Sequence, residues 1–251
     1  MSRFDLTGRS AIVTGANTGI GQAIAVALAE AGANILAVGR SPMDETEAQC
    51  RPHGKGFLAI HADLATLEPI ERIMGSAEER FGRVDILVNN AGIIRRADAL
   101  DLTEADWDAV MDVNVKSAFF LAQAVGRRMI ADGGGGKIVN VASLLSVQGG
   151  IRVASYTAAK SGLAGLTRLL ANEWAPKGIN VNAIAPGYVA SNNTAALMAD
   201  PKRSADILAR IPAGRWGEPR DIGGAAVFLA SPAADFVHGI LLPVDGGWLA
   251  R

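Results

Sequence analysis

The fold is indicated by Ser10-Ala-Ile-Val-Thr14-Gly15-Ala-Asn-Thr-Gly19-Ile-Gly21, where an apolar run meets three closely spaced glycines. The first five residues are mostly apolar, partly β-branched and end at a glycine, which is typical of a buried parallel strand. Helix-forming residues follow over 22–31, so the glycines lie where a strand turns into a helix. Glycine there permits positive φ and lets backbone N–H groups approach a phosphate. The pattern predicts a dinucleotide-binding turn, with a merely tight turn as the alternative.

The alternation of strand-like and helix-like runs continues to the end of the chain. Strands are also expected over 34–38, 56–60, 84–88, 137–141, 179–185 and 239–244. Helices are expected over 67–81, from 103 to about 131, over 155–176 and over 219–230. Such alternation predicts an α/β fold with helices on both faces of a parallel sheet. We expect one domain over 1–251, built on a Rossmann-type doubly wound sheet of about seven strands.

Residues 188–217 depart from this alternation, because their periodicity is weaker and polar residues are more frequent. Long segments without regular periodicity inside a compact domain are often functional lids. We expect this segment to cover the substrate.

The composition excludes several classes of partner. With 24 basic and 25 acidic residues, the net charge of −1 provides no electrostatic footprint for nucleic acid or an anionic membrane. No apolar run has the length of a membrane span or of a secretory signal. The three histidines stand singly and predict no metal site, and the lone Cys50 excludes an intrachain disulfide. We expect a cytoplasmic protein that acts on a small molecule.

Tyr156 and Lys160 form the pattern that carries the most chemistry. They are four residues apart, so on a helix they lie on the same face. A tyrosine ionises near pH ~10 in water, and an adjacent ammonium lowers that pKa. Ser143 supplies a hydroxyl that can hold the same substrate oxygen during proton transfer. The spacing by itself also fits an ordinary helix with an exposed lysine.

The end of the second predicted strand bears on the choice of dinucleotide. An acid there binds a ribose 2′-hydroxyl, whereas an arginine suits a 2′-phosphate. Gly39 takes the acid's position and Arg40 follows it, which favours NADP, although Thr18 is not the basic residue that would strengthen this choice. Asp63 follows the third strand and either accepts a hydrogen bond from adenine or caps the next helix.

Asparagines occupy two further positions of interest. Asn89-Asn90-Ala91-Gly92 follows the fourth strand, where an asparagine either ties neighbouring strands together or contacts a ligand. Asn114 lies inside the long predicted helix, where asparagine is unfavourable. From the residues alone, a surface position is the favoured interpretation of Asn114, and a water-linked proton path to Lys160 is the alternative.

Together these motifs resemble those of the short-chain dehydrogenases/reductases over essentially the whole chain. The shared elements, in order, are Thr14-Gly15-x-x-x-Gly19-x-Gly21, Asn89-Asn90-Ala91-Gly92, Asn114, Ser143, Tyr156-x-x-x-Lys160 and Pro186-Gly187. The resemblance implies that Tyr156 is the general acid/base and that Ser143 orients the carbonyl. It implies that Lys160 holds the nicotinamide ribose and lowers the tyrosine pKa, while Asn114 supports a proton relay.

The motifs and the resemblance together imply a set of contacts to NAD or NADP. These cofactor-binding candidates are Gly15, Asn17, Thr18, Gly19, Ile20, Gly21, Arg40, Asp63, Leu64, Asn90, Ala91, Gly92, Tyr156, Lys160, Pro186, Gly187, Val189 and Ser191.

A narrower resemblance is to the members of this family that act on sugar acids of the 2-deoxy-D-gluconate or 2-dehydro-3-deoxy-D-gluconate type. It rests on Ile93-Ile94-Arg95-Arg96, Gln148-Gly-Gly-Ile-Arg152, Ala190-Ser-Asn192-Asn193-Thr194, Ile211-Pro-Ala-Gly-Arg215-Trp216-Gly217 and the terminal Asp245-Gly-Gly-Trp248-Leu-Ala-Arg251. Such enzymes usually use NAD, whereas Arg40 favours NADP, so both dinucleotides are kept as expectations.

Polar residues beside the predicted active-site segments agree with an acidic sugar, because guanidinium binds carboxylate in bidentate fashion and amides bind hydroxyls. The candidate substrate-binding residues are Arg95, Arg96, Gln148, Arg152, Asn192 and Asn193. We expect an NAD(P)-dependent oxidoreductase of carbohydrate metabolism that interconverts a secondary alcohol and a ketone. The alternatives are a 3-oxoacyl-thioester reductase of the same family and a protein that senses NAD(P) without turnover. The resemblance further implies a homo-oligomer, expected to be a tetramer.

Overall fold

Seven parallel strands form one sheet in the computed structural model, which describes residues 2–53 and 56–251. The strands are β1 (Ser10–Thr14), β2 (Asn34–Gly39), β3 (Phe57–His61), β4 (Ile86–Asn89), β5 (Gly136–Val141), β6 (Ile179–Pro186) and β7 (Leu241–Val244). Their order across the sheet is β3-β2-β1-β4-β5-β6-β7. The predicted fold class, a Rossmann-type doubly wound sheet, is confirmed.

Helices cover both faces of this sheet. They are α1 (Gly19–Glu30), α2 (Asp44–Cys50), α3 (Pro69–Phe81), α4 (Glu104–Met111), α5 (Ser117–Ala131), α6 (Ala154–Trp174), α7 (Ala195–Ala199), α8 (Pro201–Leu208) and α9 (Pro219–Ala230). None of the helices in the described part of the chain is long and apolar enough to cross a membrane.

Two aliphatic cores hold the layers together, one on each face of the sheet. Ile24 and Leu28 of α1 pack with Ile222 and Leu229 of α9 on one face. Leu121 of α5 belongs to the core on the opposite face, together with residues of α3 and α6. Burial of such side chains contributes about 1.5–3 kcal/mol each. Strands β1, β4 and β6 are buried at every residue because both of their faces are covered.

The strand order reverses between β1 and β4, and this reversal positions the site. The chain passes outward through β2 and β3 on one side and through β5, β6 and β7 on the other. Connections leaving the carboxyl ends of β1 and β4 therefore diverge and open a crevice, where open α/β sheets bind ligands. The glycine turn follows β1 and Asn90 follows β4, so the two motifs meet at this crevice.

The structure differs from the expected elements in four places, one of which is the segment 188–217, where α7 and α8 form although no helix was expected. Helix α1 begins at Gly19 and not at residue 22, so two of the glycines belong to its first turn. Helix α2, which the sequence pattern did not predict, follows β2. The expected helix from 103 to 131 contains a wider turn of π type at Asp112–Lys116. Thr103 caps the start of this helix, with its Oγ1 accepting from Asp106 N at 3.2 Å.

Candidate active site

A cavity of about 1150 Å³ lies at the carboxyl ends of the strands. It extends from the glycine turn after β1, past Ser143 and Tyr156, to Trp248 near the end of the chain. Pockets for one ligand are typically roughly 300–1000 Å³, so this cavity has room for a large ligand and a second small molecule. Every predicted site residue lines it except Asn114.

The glycine turn fits a pyrophosphate. Gly15 has φ of 64°, and a Cβ there would lie 2.8 Å from Nδ2 of Asn90. A Cβ on Gly21 would collide with the Gly15 carbonyl oxygen. Thr18 does not cap α1 with its side chain, and the first turn of the helix carries no acid. Backbone N–H groups and the helix dipole therefore face the cavity without a competing anion, as a phosphate requires.

Asn90 ties the two strands at the switch point together. Its Nδ2 donates to the carbonyl oxygens of Thr14 at 2.9 Å and of Gly15 at 3.1 Å, and its backbone N–H donates to Thr14 Oγ1 at 3.0 Å. Of the two roles considered from the sequence, the structural one is therefore present. Because Asn90 also lines the cavity, it holds the glycine turn in shape directly beside the ligand space.

The end of β2 presents a guanidinium at the edge of the cavity. Arg40 is exposed, and its Nη1 lies 4.0 Å from Asp63 Oδ2. A Cβ on Gly39 would lie 2.9 Å from Asn17 Oδ1, so an acidic side chain fits there only if Asn17 moves. Asp63 accepts from Ala65 N at 3.0 Å within a local turn. Because α3 begins only at Pro69, the interpretation of Asp63 as a helix cap is wrong.

Ser143, Tyr156 and Lys160 come together at the base of the cavity. Tyr156 and Lys160 lie on the first two turns of α6, with Lys160 Nζ 5.6 Å from the centre of the Tyr156 ring. Lys160 is buried and donates to the Val141 carbonyl oxygen at 2.6 Å, which anchors it to the end of β5. The loop that carries Ser143 is held on α6 because Ser146 Oγ donates to the Lys160 carbonyl oxygen at 2.7 Å.

Burial dominates the electrostatics of this group. It raises the pKa of Tyr156, and the hydrogen bond from Ser143 and the charge of Arg96 act in the opposite direction. Burial also lowers the pKa of Lys160 from 10.5 to about 8. The sequence pattern predicted a lowered pKa for Tyr156, whereas the net effect in the structure is a raised pKa. The structure also shows that Arg96 contributes positive potential at Tyr156, which the Tyr156–Lys160 pattern did not reveal.

Asn114 lies in the π-type turn and is 1% exposed, so the interpretation as a surface asparagine is wrong. Its Oδ1 accepts from Ile93 N at 2.8 Å, and its Nδ2 donates to the Ile93 carbonyl oxygen at 2.9 Å. One side chain thereby satisfies both backbone groups of a residue in the loop after β4. That loop carries Arg95 and Arg96, so Asn114 positions this arginine pair from outside the cavity.

The predicted substrate arginines differ in their partners. Arg95 Nε lies 3.2 Å from Asp106 Oδ1, and Arg152 Nε lies 3.3 Å from Asp98 Oδ1. Arg152 has φ of 61°, the only positive value for a non-glycine residue in the described ranges. Arg96 donates from Nη2 to the carbonyl oxygen of Asn193 at 2.7 Å and so joins the β4 loop to the segment 188–217. Asn192 and Asn193 are exposed beside it.

An aromatic cluster that sequence reasoning missed closes the far end of the cavity. Tyr188 packs on Trp248 with ring centres 4.6 Å apart and on Trp216 at 5.7 Å. Two arginines of the segment 188–217, Arg203 and Arg210, line the cavity as well. The sequence signal was compositional: in a chain with 5% aromatic residues, a tyrosine and a tryptophan lie in that aperiodic segment, and a second tryptophan lies near the terminus.

Comparisons with known proteins identify the family. A family model described as enoyl-(acyl carrier protein) reductase matches residues 15–249. A 2-dehydro-3-deoxy-D-gluconate 5-dehydrogenase of Escherichia coli is 57% identical over 251 residues, covering 100% of this chain and 99% of the relative. A 3-oxoacyl-(acyl-carrier-protein) reductase of Vibrio cholerae is 42% identical, covering 97% of this chain and 98% of the relative.

A solved structure agrees with these relatives. It is a putative 2-deoxy-D-gluconate 3-dehydrogenase from Agrobacterium tumefaciens with bound NADP, 59% identical, with a TM-score of 0.93 and 100% of both chains covered. The order of motifs, the glycine turn at the switch point and the Ser143–Tyr156–Lys160 group agree with this likeness in sequence and fold. The chain belongs to the short-chain dehydrogenase/reductase family.

Proposed function

We propose that this protein is an NAD(P)-dependent oxidoreductase that interconverts a secondary alcohol and a ketone on a sugar acid, with 2-dehydro-3-deoxy-D-gluconate as the first candidate. The observation that carries the proposal is that Ser143, Tyr156 and Lys160 share one cavity with a phosphate-compatible glycine turn and with several arginines. The E. coli relative, which is named for this substrate, is similar over the full length of the chain.

The chain's own residues supply the proton chemistry. When a nicotinamide dinucleotide is bound along the glycine turn, it would accept or donate the hydride. Tyr156 Oη would take the proton of the reacting hydroxyl during oxidation and return it during reduction, and Ser143 Oγ would hold the same oxygen. Lys160, charged near neutral pH, would favour the phenolate form of Tyr156. Arg96 supports this by lowering the pKa of Tyr156 in the same way.

Arg40 supports NADP as the preferred dinucleotide. It is the charged residue at the end of β2, where an arginine suits a 2′-phosphate. The neighbouring Gly39 leaves no acid to repel that phosphate, and the A. tumefaciens relative is described with NADP. Asp63 lies 4.0 Å from Arg40, and its negative charge offsets part of the attraction between Arg40 and the 2′-phosphate. The offset is only partial because both side chains are exposed, so that solvent and salt screen their charges.

The proposal is tested with a panel of sugar acids run with NAD and with NADP, following the reduced cofactor by absorbance. We expect turnover of 2-dehydro-3-deoxy-D-gluconate or 2-deoxy-D-gluconate, with a higher kcat/KM for NADP. The absence of turnover with every sugar acid and both dinucleotides would refute the proposed function.

A 3-oxoacyl-thioester reductase is the second candidate, favoured by the V. cholerae relative. The lower identity of that relative and the polar, arginine-rich end of the cavity weigh against it. Comparing kcat/KM for a 3-oxoacyl thioester and for the sugar acids separates the two candidates. A sensor without turnover is not favoured, because the chain belongs to a family of enzymes and keeps the acid/base group in its cavity.

We also propose a homo-oligomer, a tetramer by family expectation. Apolar side chains of α5 and α6 are partly exposed, including Phe120, Ile130 and Leu169. Exposed apolar patches of this kind mark interfaces between subunits. Sedimentation would test the oligomeric state, and a monomeric mass would contradict the proposal.

We also propose a cytoplasmic location, and cell fractionation would test it.

A further inference from the structure

Six arginines among the described residues line the cavity, and their partners divide them into two groups. Arg40, Arg95 and Arg152 each lie within 4.0 Å of a carboxylate, on Asp63, Asp106 and Asp98 respectively. A guanidinium already paired with a carboxylate attracts a second one less strongly. Half of the arginines are therefore weakened as ligands for an acidic substrate, including two that the sequence had indicated.

The other three have no acidic partner within the described ranges. Arg96 donates to the Asn193 carbonyl oxygen, and its charge acts on the pKa of Tyr156. It therefore lies beside the reacting group. Arg203 and Arg210 have side chains without a hydrogen-bonding partner in the part of the chain that the structure describes, and both belong to the segment 188–217.

Arg210 differs from Arg203 because it is held in place. Its guanidinium carbon lies 4.0 Å from the centre of the Trp248 ring. Stacking on an aromatic face orients the plane of the guanidinium, while its N–H donors at the edge stay available for a planar carboxylate. Arg251 donates to the carbonyl oxygen of Ala209 at 2.7 Å, and Ile211 is buried against Trp248, so the backbone on both sides of Arg210 is fixed.

The platform under Arg210 is joined to the catalytic loop. Trp248 Nε1 donates to Gln148 Oε1 at 2.9 Å, and Gln148 lies five residues after Ser143. The buried cluster around Trp248 also contains Leu144, directly after Ser143. Arg210 is thereby tied through one aromatic side chain to the loop that carries Ser143.

We infer that Arg210, seated on Trp248, binds the carboxylate of the sugar acid and determines the preference for acidic substrates. The inference rests on the proposed function and names the group that recognises its substrate. In 2-dehydro-3-deoxy-D-gluconate the carboxylate is carbon 1, whereas a 5-dehydrogenase reacts at carbon 5. The carboxylate therefore needs a cation away from Tyr156, which favours Arg210 over Arg96. Because Arg210 belongs to the segment 188–217, binding an acid also holds that segment over the cavity.

The test compares 2-dehydro-3-deoxy-D-gluconate with its methyl ester, which keeps the reacting hydroxyl and removes the negative charge. We expect Arg210→Gln to raise KM for the acid about 30-fold or more, with kcat within a few-fold, and to leave KM for the ester nearly unchanged. Arg210→Lys, which keeps the charge but loses the planar fork, restores part of the affinity for the acid. Arg80→Gln is the matched control. Arg80 also lies over an aromatic ring, that of Phe81, but Arg80 is outside the cavity, so KM should not change.

Two results would overturn the inference while leaving the proposed function intact. One is an equal rise in KM for acid and ester, which would assign Arg210 a structural role. The other is an unchanged KM for the acid. A wild-type enzyme that turns over no sugar acid refutes the proposed function and the inference with it, and that failure is recognised without any variant.

Discussion

The indole Nε1 of Trp248 donates a hydrogen bond to the side-chain oxygen of Gln148 at 2.9 Å, across 100 residues of sequence. Indole is a donor only, so this contact determines which end of the Gln148 amide is occupied. The amide nitrogen of Gln148 has no partner among residues 2–53 and 56–251, so it is left as a donor in the cavity, where it suits a carbonyl, hydroxyl or carboxylate oxygen of a substrate. Trp248, near the end of the chain, thus orients Gln148, which lies between Ser143 and Tyr156 in the sequence.

Replacing Trp248 by Phe should weaken substrate binding more than catalysis. The ring under Arg210 is retained, but Gln148 loses the donor that orients it and its amide becomes free to rotate. We expect KM for the sugar acid to rise several-fold, about the effect of one hydrogen bond, with kcat little changed. Trp107→Phe on α4 is the control, because Trp107 lies outside the cavity. A drop in kcat alone would show that the contact serves another purpose.

Replacing Tyr156 by Phe should abolish proton transfer while leaving the cofactor site in place. General acid/base groups contribute about 10²–10⁴-fold, so we expect kcat to fall by at least about 10²-fold. Binding of NADPH, followed by its fluorescence, should persist. Tyr188→Phe is the control, because it also removes a phenolic hydroxyl, but from a tyrosine of the aromatic cluster. This variant should retain most of kcat. Turnover by the Tyr156 variant within a few-fold of wild type would contradict the assigned role.

Replacing Asn114 by Ala should destabilise the protein and disturb the loop after β4. The backbone N–H and carbonyl of Ile93 would lose their partners, and each unsatisfied group costs about 1–3 kcal/mol if it stays buried. We expect a lower free energy of unfolding in urea and a lower kcat. Asn172→Ala, which removes an exposed contact within α6, should change stability by much less. Equal effects of the two substitutions would show that the Ile93 contacts are not important.

Lys160 should make stability depend on pH in the absence of cofactor. Between its folded pKa of about 8 and its ordinary value of 10.5, the unfolded chain holds a proton that the folded protein has lost. The contribution of Lys160 to the free energy of unfolding therefore rises with pH across this window, by up to about 1.4 kcal/mol per pH unit. Urea unfolding of wild type and Lys160→Met at several pH values measures the difference. A difference that stays constant from pH 8 to 10 would mean that the folded pKa is not depressed.

Replacing Arg40 by Gln should affect the two dinucleotides differently. Loss of the guanidinium removes a partner for the 2′-phosphate, so KM for NADP should rise about tenfold or more while KM for NAD changes little. Gly39→Asp in the same background should shift the preference further towards NAD, at some cost in stability because Asn17 must move. An equal loss with both dinucleotides would indicate that Arg40 does not read the 2′-phosphate.

Much of the site was predictable because its signals are local. The glycines at the turn of β1 into α1 and the four-residue spacing of Tyr156 and Lys160 are short patterns, and each has a direct geometric consequence on a strand or helix. The alternation of apolar runs likewise identified all seven strands to within a few residues. Helix α2 was missed because it is only seven residues long and mostly polar, too short to establish a hydrophobic period.

The sequence by itself determined the sheet, the position of its crevice and the placing of Tyr156 and Lys160 on one helix face, since these depend on neighbours in the chain. Tertiary structure alone decided that Asn114 is buried against Ile93 and which arginines are paired with carboxylates. It also decided that Trp248 reaches Gln148. Those contacts join residues 11 to 100 positions apart in the sequence, and no local pattern encodes them. Charge and exposure depend on which partner the fold brings within about 4 Å, and that is why the substrate end of the cavity became interpretable only in three dimensions.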